Sequence, residues 1–209
     1  MTASRIGLGL LVLGELIQLG LVVIGGALYP GYDHARQYIS ELGATGAVTG
    51  PAFSQYGFMP SGLLILGFCL IAAWLMRRNA LAVVGCLMLG WYGASLFGAG
   101  VYPCAFECAR SEITSDALMH DLVGGTGYLT GVLGVLLTGL ALRGTAAAWL
   151  APLGVVCAIV AAIGFGGVIA DVELGGLFQR VLEIAMAVFL LSFGWSLARG
   201  RMATAPARP

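Results

Sequence analysis

Lysine is absent from this 209-residue chain, and charged residues of every kind make up only 10% of it. An ordinary soluble domain carries about 25%, so the chain cannot cover a water-facing surface. Without lysine, and with no basic stretch alternating with aromatics, nucleic acid is not an expected partner. Only two histidines occur, His34 and His120. Neither belongs to a His-x-x-x-His or His-Glu-x-x-His pattern, so no metal is expected, although Asp116, Glu41 and the two histidines are ligand types for zinc. The glycines lie inside apolar runs rather than after a strand, which excludes a phosphate loop. No cofactor is expected.

What the chain does have is apolar length. Hydrophobic residues make up 59% and mean hydropathy is +0.96. Six runs, 6–28, 57–76, 81–102, 117–142, 146–170 and 175–198, approach or exceed the roughly 20 residues a helix needs to cross a bilayer. The fold class is therefore all-α: a polytopic membrane protein with a single six-helix domain over residues 1–201. The Ala/Pro-rich tail, 202–209, is expected to be disordered. The residues before the first run are too few to precede a cleaved signal, so that run is expected to be a retained span. Many of the 33 glycines fall within the runs, where small residues let helix backbones approach closely in lipid.

Charge is sorted along the chain. Arg5, Arg77, Arg78, Arg143, Arg199, Arg201 and Arg208 fall at run ends or short turns on one side, with no carboxylate beside them. Arginine-rich connections stay cytoplasmic. Both termini are thus expected inside a plasma (inner) membrane, with the longer connections, 29–56 and 103–116, outside. Cys69, Cys86 and Cys157 read as small apolar fillers. Cys104 and Cys108, four apart in an outer loop, are expected to form a disulfide.

Ionisable residues inside spans are costly and mark functional candidates. Glu15 sits near the middle of the first span with Gln18 on the same helical face. His120 and Asp121 fall in the outer third of the fourth span, and Arg180 and Glu183 in the outer half of the sixth, spaced to pair. The first outer loop adds His34, Arg36, Tyr38, Ser40 and Glu41. Ser40, Glu41, His120, Asp121, Arg180 and Glu183 are expected to converge on one polar cavity open to the outer face. There His120, with Asp121 or Glu41, would supply acid/base chemistry. Ser40 is a candidate nucleophile, although no Gly-x-Ser-x-Gly elbow surrounds it. Arg36 and Arg180 would hold an anionic head group, with Glu183 paired to Arg180. The alternative is that these charges only tie helices together.

The segment His34-Ala35-Arg36-Gln37-Tyr38-Ile39-Ser40-Glu41-Leu42-Gly43 resembles the hallmark of the family called domain of unknown function 998. Tyr102-Pro103-Cys104, His120 at the start of the fourth span, and Gly176-Leu177-Phe178-Gln179-Arg180 at the start of the sixth agree with it. The resemblance covers roughly residues 6–198 and implies a fold of about six spans with no settled activity. More distantly, the architecture is similar to lipid-remodelling membrane proteins and to ceramidase-like hydrolases, which use three histidines, an aspartate and a serine with zinc.

Three functions compete. The leading one is binding or chemical modification of a lipid or other amphipathic molecule with an anionic head group, as in an intramembrane hydrolase or transferase. The second is a small proton-coupled transporter using Glu15, Asp121 and Glu183. The third is a non-catalytic assembly protein. Membrane lipids are the expected partners, and a homo-oligomer stays open.

Overall fold

Six apolar helices account for most of the chain in a computed structural model, which describes residues 2–111 and 113–202. They are α1 (Ala3–Leu28), α2 (Gly50–Leu75), α3 (Ala80–Val101), α4 (Ser115–Ala141), α5 (Leu150–Ile169) and α6 (Gly175–Ala198). All six are long and apolar enough to cross a membrane. Most of the expected tail, 203–209, lies outside the described residues.

Each helix packs against the next in sequence, and α1 closes the ring against α6. Short turns fix three of these neighbours. Asn79 makes one of the turns: its Oδ1 accepts from Ala82 N (3.2 Å), capping α3, while its Nδ2 donates to Ala141 O (3.1 Å) at the end of α4. Thr114 caps the other end of α4 by accepting from Ala117 N at 3.1 Å. The second helix starts earlier than its apolar run. Pro51 at its first turn preorganises a start at Gly50, and a π-helical turn over Ser54–Phe58 carries the polar Ser54 and Gln55 into the helix.

One apolar cluster, including Leu11, Phe68, Leu89, Val135, Ala161 and Phe189, draws on all six helices. The outer surface carries exposed Leu13, Leu19, Leu63, Leu129, Ile163 and Ile184, as a lipid-facing surface requires. Arg5, Arg77, Arg78, Arg143, Arg199 and Arg201 all lie at the short-turn end. There Arg77 covers Trp74 and Arg199 covers Trp195 at 5.2 and 4.5 Å, an interfacial pairing of cation and aromatic. The opposite end carries the long connections and is called the loop end below.

Candidate functional site

The hallmark segment folds into a plug at the loop end. Tyr32 Oη donates to Tyr38 O (2.7 Å), and Glu41 accepts from Tyr38 N and Gln37 Nε2, both at 2.8 Å. Those bonds shape a short 3-10 helix, Ile39–Gly43. The plug then docks on α6, whose first N–H groups have no intrahelical acceptors. Gly176 N donates to Arg36 O (3.0 Å) and Leu177 N to Ala35 O (2.8 Å). A side chain at Gly175 would meet the Tyr38 ring, and one at Gly176 the Gln37 backbone. This close approach explains the glycine pair opening α6. The buried Gln179 side chain locks the plug by accepting from Ile39 N at 2.6 Å.

Two recesses flank this plug. A cleft of about 240 Å³ is lined by Tyr38, Ser40, Arg110, His120, Asp121 and Gln179, with α4 and α5 as its walls. A groove of about 510 Å³ between α1 and α6 is lined mostly by aliphatic side chains, with His34 and Arg180 nearer the loops and Glu15, Gln18 and Glu183 deeper. Tyr128 and Gln179 line the cleft, and Glu183, one hydrogen bond away, lines the groove. The six residues expected to share one cavity are therefore divided. Ser40, His120 and Asp121 line the cleft; Arg180 and Glu183 line the groove; Glu41, 5% exposed, is buried within the plug.

In the groove the expected Arg180–Glu183 pair does not form. Side chains on a helix lean toward its N-terminus, which for α6 is the loop end. Arg180 accordingly reaches away from Glu183. Its Nη1 donates to Gln37 O and Gly176 O (both 2.9 Å), and its Nη2 to Tyr32 Oη (2.8 Å) and His34 Nδ1 (3.0 Å). Among the described residues it has no carboxylate partner. His34 must be neutral to accept that bond. Partial burial and the Arg180 charge both hold its pKa below the usual 6.5.

Glu183 is satisfied by neutral donors instead. Tyr92 Oη donates to Oε2, Gln18 Nε2 to Oε2 (3.2 Å) and Tyr128 Oη to Oε1 (2.8 Å). Gln179 Nε2 donates to Tyr128 Oη at 2.8 Å, tying this network to the plug. Glu15 and Gln18 complete the groove wall, yet Glu15 Oε1 and Gln18 Oε1 are buried without a hydrogen-bond partner among the described residues. Tyr92 and Tyr128 are not among the expected site residues, which within the spans centre on charged groups, and Gln179 enters only through the family segment that opens α6. A mid-span tyrosine carries its own signal, since its hydroxyl needs a partner.

In the cleft, His120 bonds no carboxylate among the described residues. Its Nδ1 lies 2.8 Å from Tyr102 O, which fixes the proton on Nδ1 and leaves Nε2 as the basic nitrogen. Asp121 is the adjacent residue, about 100° away around the helix, and is exposed. Ser40 Oγ lies 3.3 Å from Cys108 Sγ and makes no hydrogen bond to His120. No nucleophile–base pair is assembled here. Tyr38 Oη donates to Asp171 Oδ1 (3.0 Å). Burial, then that carboxylate, push its hydroxyl pKa up to about 12. Burial likewise raises the Glu41 pKa, against the opposing bonds from Tyr38 N and Gln37. Arg36 pairs on the surface with Glu173 (2.8 Å) and Asp33 (3.6 Å), so it is not a free anion-binding group. Cys104 and Cys108 are disulfide-bonded as expected, and Thr45 N donates to Cys104 O (2.9 Å), joining the two long connections. Among the described residues no group of three His, Cys, Asp or Glu side chains could hold a metal ion.

The family model for proteins of unknown function, DUF998, matches residues 12–196, and the chain belongs to that family. No curated protein and no solved structure matches the chain.

Proposed function

We propose that this protein binds an amphipathic molecule with an anionic head group, such as an anionic lipid, in the groove between α1 and α6. The single observation that carries this reading is Arg180. It is a guanidinium without a carboxylate partner among the described residues, held at the loop end of a mostly aliphatic groove. Cations in a membrane span pair with carboxylates or backbone carbonyls and mark functional sites; the carbonyls, tyrosine and neutral histidine around Arg180 take its hydrogens but leave its charge uncompensated. Along α6, Arg180 lies about 8 Å and Glu183 about 12 Å from the first residue, at 1.5 Å per residue. An anionic group at Arg180 would sit near the interface, with its chain running past Ile184, Ala187, Val188 and Leu191. The arginine-rich short-turn end is assigned to the cytoplasm. The groove then opens toward the outer leaflet, with both termini inside.

Binding of a short-chain phosphatidylglycerol to the purified protein tests this, with phosphatidylcholine of the same chains as reference. The phosphatidylglycerol should bind more tightly. Arg180→Leu should weaken it by roughly tenfold to a hundredfold, the worth of losing charge-assisted hydrogen bonds. Arg180→Lys, which keeps the charge, should retain part of the affinity. Equal affinity for both lipids in the native protein and the leucine variant would contradict the assignment.

A further inference from the structure

Four titratable side chains line the groove: Glu15, His34, Arg180 and Glu183. With His34 neutral, as its bond from Arg180 requires, two carboxylates share the groove with one guanidinium and one negative charge lacks compensation. The carboxylates differ in their surroundings. Glu183 accepts three hydrogen bonds, a setting suited to an ionised group. Glu15 accepts none at its buried Oε1. Gln18, one turn along the same face and 8% exposed, keeps its Nε2 on Glu183 while its Oε1 has no donor. Two buried acceptors on one helical face, one of them a carboxylate, lack one hydrogen between them. Such atoms are costly in a membrane unless a donor arrives.

We propose that Glu15 is a proton-binding site coupled to the head-group site at Arg180, so that the anionic ligand and one proton bind together. Charge balance supplies the coupling. The proton neutralises Glu15 and lets its hydroxyl donate to an acceptor such as Gln18 Oε1, leaving Glu183 and Arg180 as equal and opposite charges. A ligand anion entering at Arg180 adds a negative charge to the same low-dielectric groove and favours the protonated form of Glu15. By reciprocity, a proton on Glu15 strengthens anion binding by the same factor. The proton comes from the solvent and no bond other than O–H forms or breaks. The groups nearest Glu15 are Gln18 on its own helix, Glu183 from α6, Tyr92 from α3 and the buried Cys69 thiol from α2, while Arg180 and His34 line the same groove nearer the loops. Of these, His34 is the competing proton acceptor, because its protonation would add a positive charge beside Arg180.

This inference rests on the proposed groove reading, and calorimetry separates their failures. Titrating the native protein with short-chain phosphatidylglycerol in two buffers of different ionisation enthalpy counts the protons taken up. Uptake approaching one proton per lipid is expected, with affinity rising by up to about tenfold per unit fall in pH where Glu15 titrates. Glu15→Gln, which mimics the protonated carboxyl, should bind the lipid with uptake reduced to that of His34 alone. His34→Gln should leave most of the uptake in place. Binding without uptake in the native protein, or the same uptake in native protein and Glu15→Gln, overturns the coupling and leaves the groove reading standing. No binding at any pH overturns both.

Discussion

The groove and the cleft lie at the same end of the bundle, one hydrogen bond apart through Tyr128, and they differ in how they satisfy charge. At the cleft, Arg110 pairs with Asp171 at 3.6 Å besides donating to Val168 O and Ile169 O, and both charged side chains are more than half exposed. In the groove, charges meet neutral groups. Glu183 takes two tyrosines and a glutamine, and Arg180 takes two carbonyls, a tyrosine and a neutral histidine. The difference follows from solvent. Water already screens an exposed ion pair, which contributes about 0–1 kcal/mol. A carboxylate deep in a span has no water, so donors must be supplied by side chains from several helices. The cleft can lose a charge cheaply. The groove cannot.

Removing the best-connected carboxylate should break this comparison most severely. Glu183→Leu strands the hydroxyls of Tyr92 and Tyr128 and the amide of Gln18. At roughly 0.6–1.7 kcal/mol per interhelical bond in a membrane, the loss should be on the order of 2–5 kcal/mol. Reversible unfolding in mixed micelles measures it, and a loss below that of Asp121→Asn would refute the contrast. The plug comes next. Gly176→Ala places a methyl against the Gln37 backbone. It should cost about 1–3 kcal/mol by overpacking and raise proteolysis within 29–49. The Cys104–Cys108 bond closes only a short loop, so reducing it should cost about 2 kcal/mol, the low end for disulfides. Thermal melts with and without reductant report it.

Smaller effects come from titration and from the cleft. His34 has a folded pKa below its ordinary 6.5. The unfolded chain therefore binds more protons near that pH, and the stability contribution is present above 6.5 and lost as pH falls through it. The His34 share is read against His34→Gln: between pH 8 and 5.5 the melting temperature of the ligand-free native protein should fall relative to that of the variant. Asp121→Asn, at an exposed position, should change stability by less than about 0.5 kcal/mol.

The six helices were legible because the apolar runs match the bilayer, and the disulfide because its two cysteines share one loop. Helix starts were less so. The run over 57–76 hid seven residues of α2, since Ser54 and Gln55 made the first turns look like a loop. Residues at one depth were legible, but their directions were not. Arg180 and Glu183 stand three apart, yet the lean of side chains on α6 sends the arginine to the plug. His120 and Asp121 are neighbours with different orientations. The docking of the plug on Gly175 and Gly176 decided which residues share a wall, and no spacing within a single helix encodes that contact.

Photo-crosslinking with a phosphatidylglycerol carrying a diazirine in its acyl chain tests the groove assignment most directly. The account predicts adducts on the α1–α6 groove, at Leu19, Val23, Ile184 and Val188, that fall sharply in Arg180→Leu. Adducts concentrated instead on the cleft, at Gly124, Gly125 and Phe165, or a groove pattern unchanged by Arg180→Leu, would contradict it.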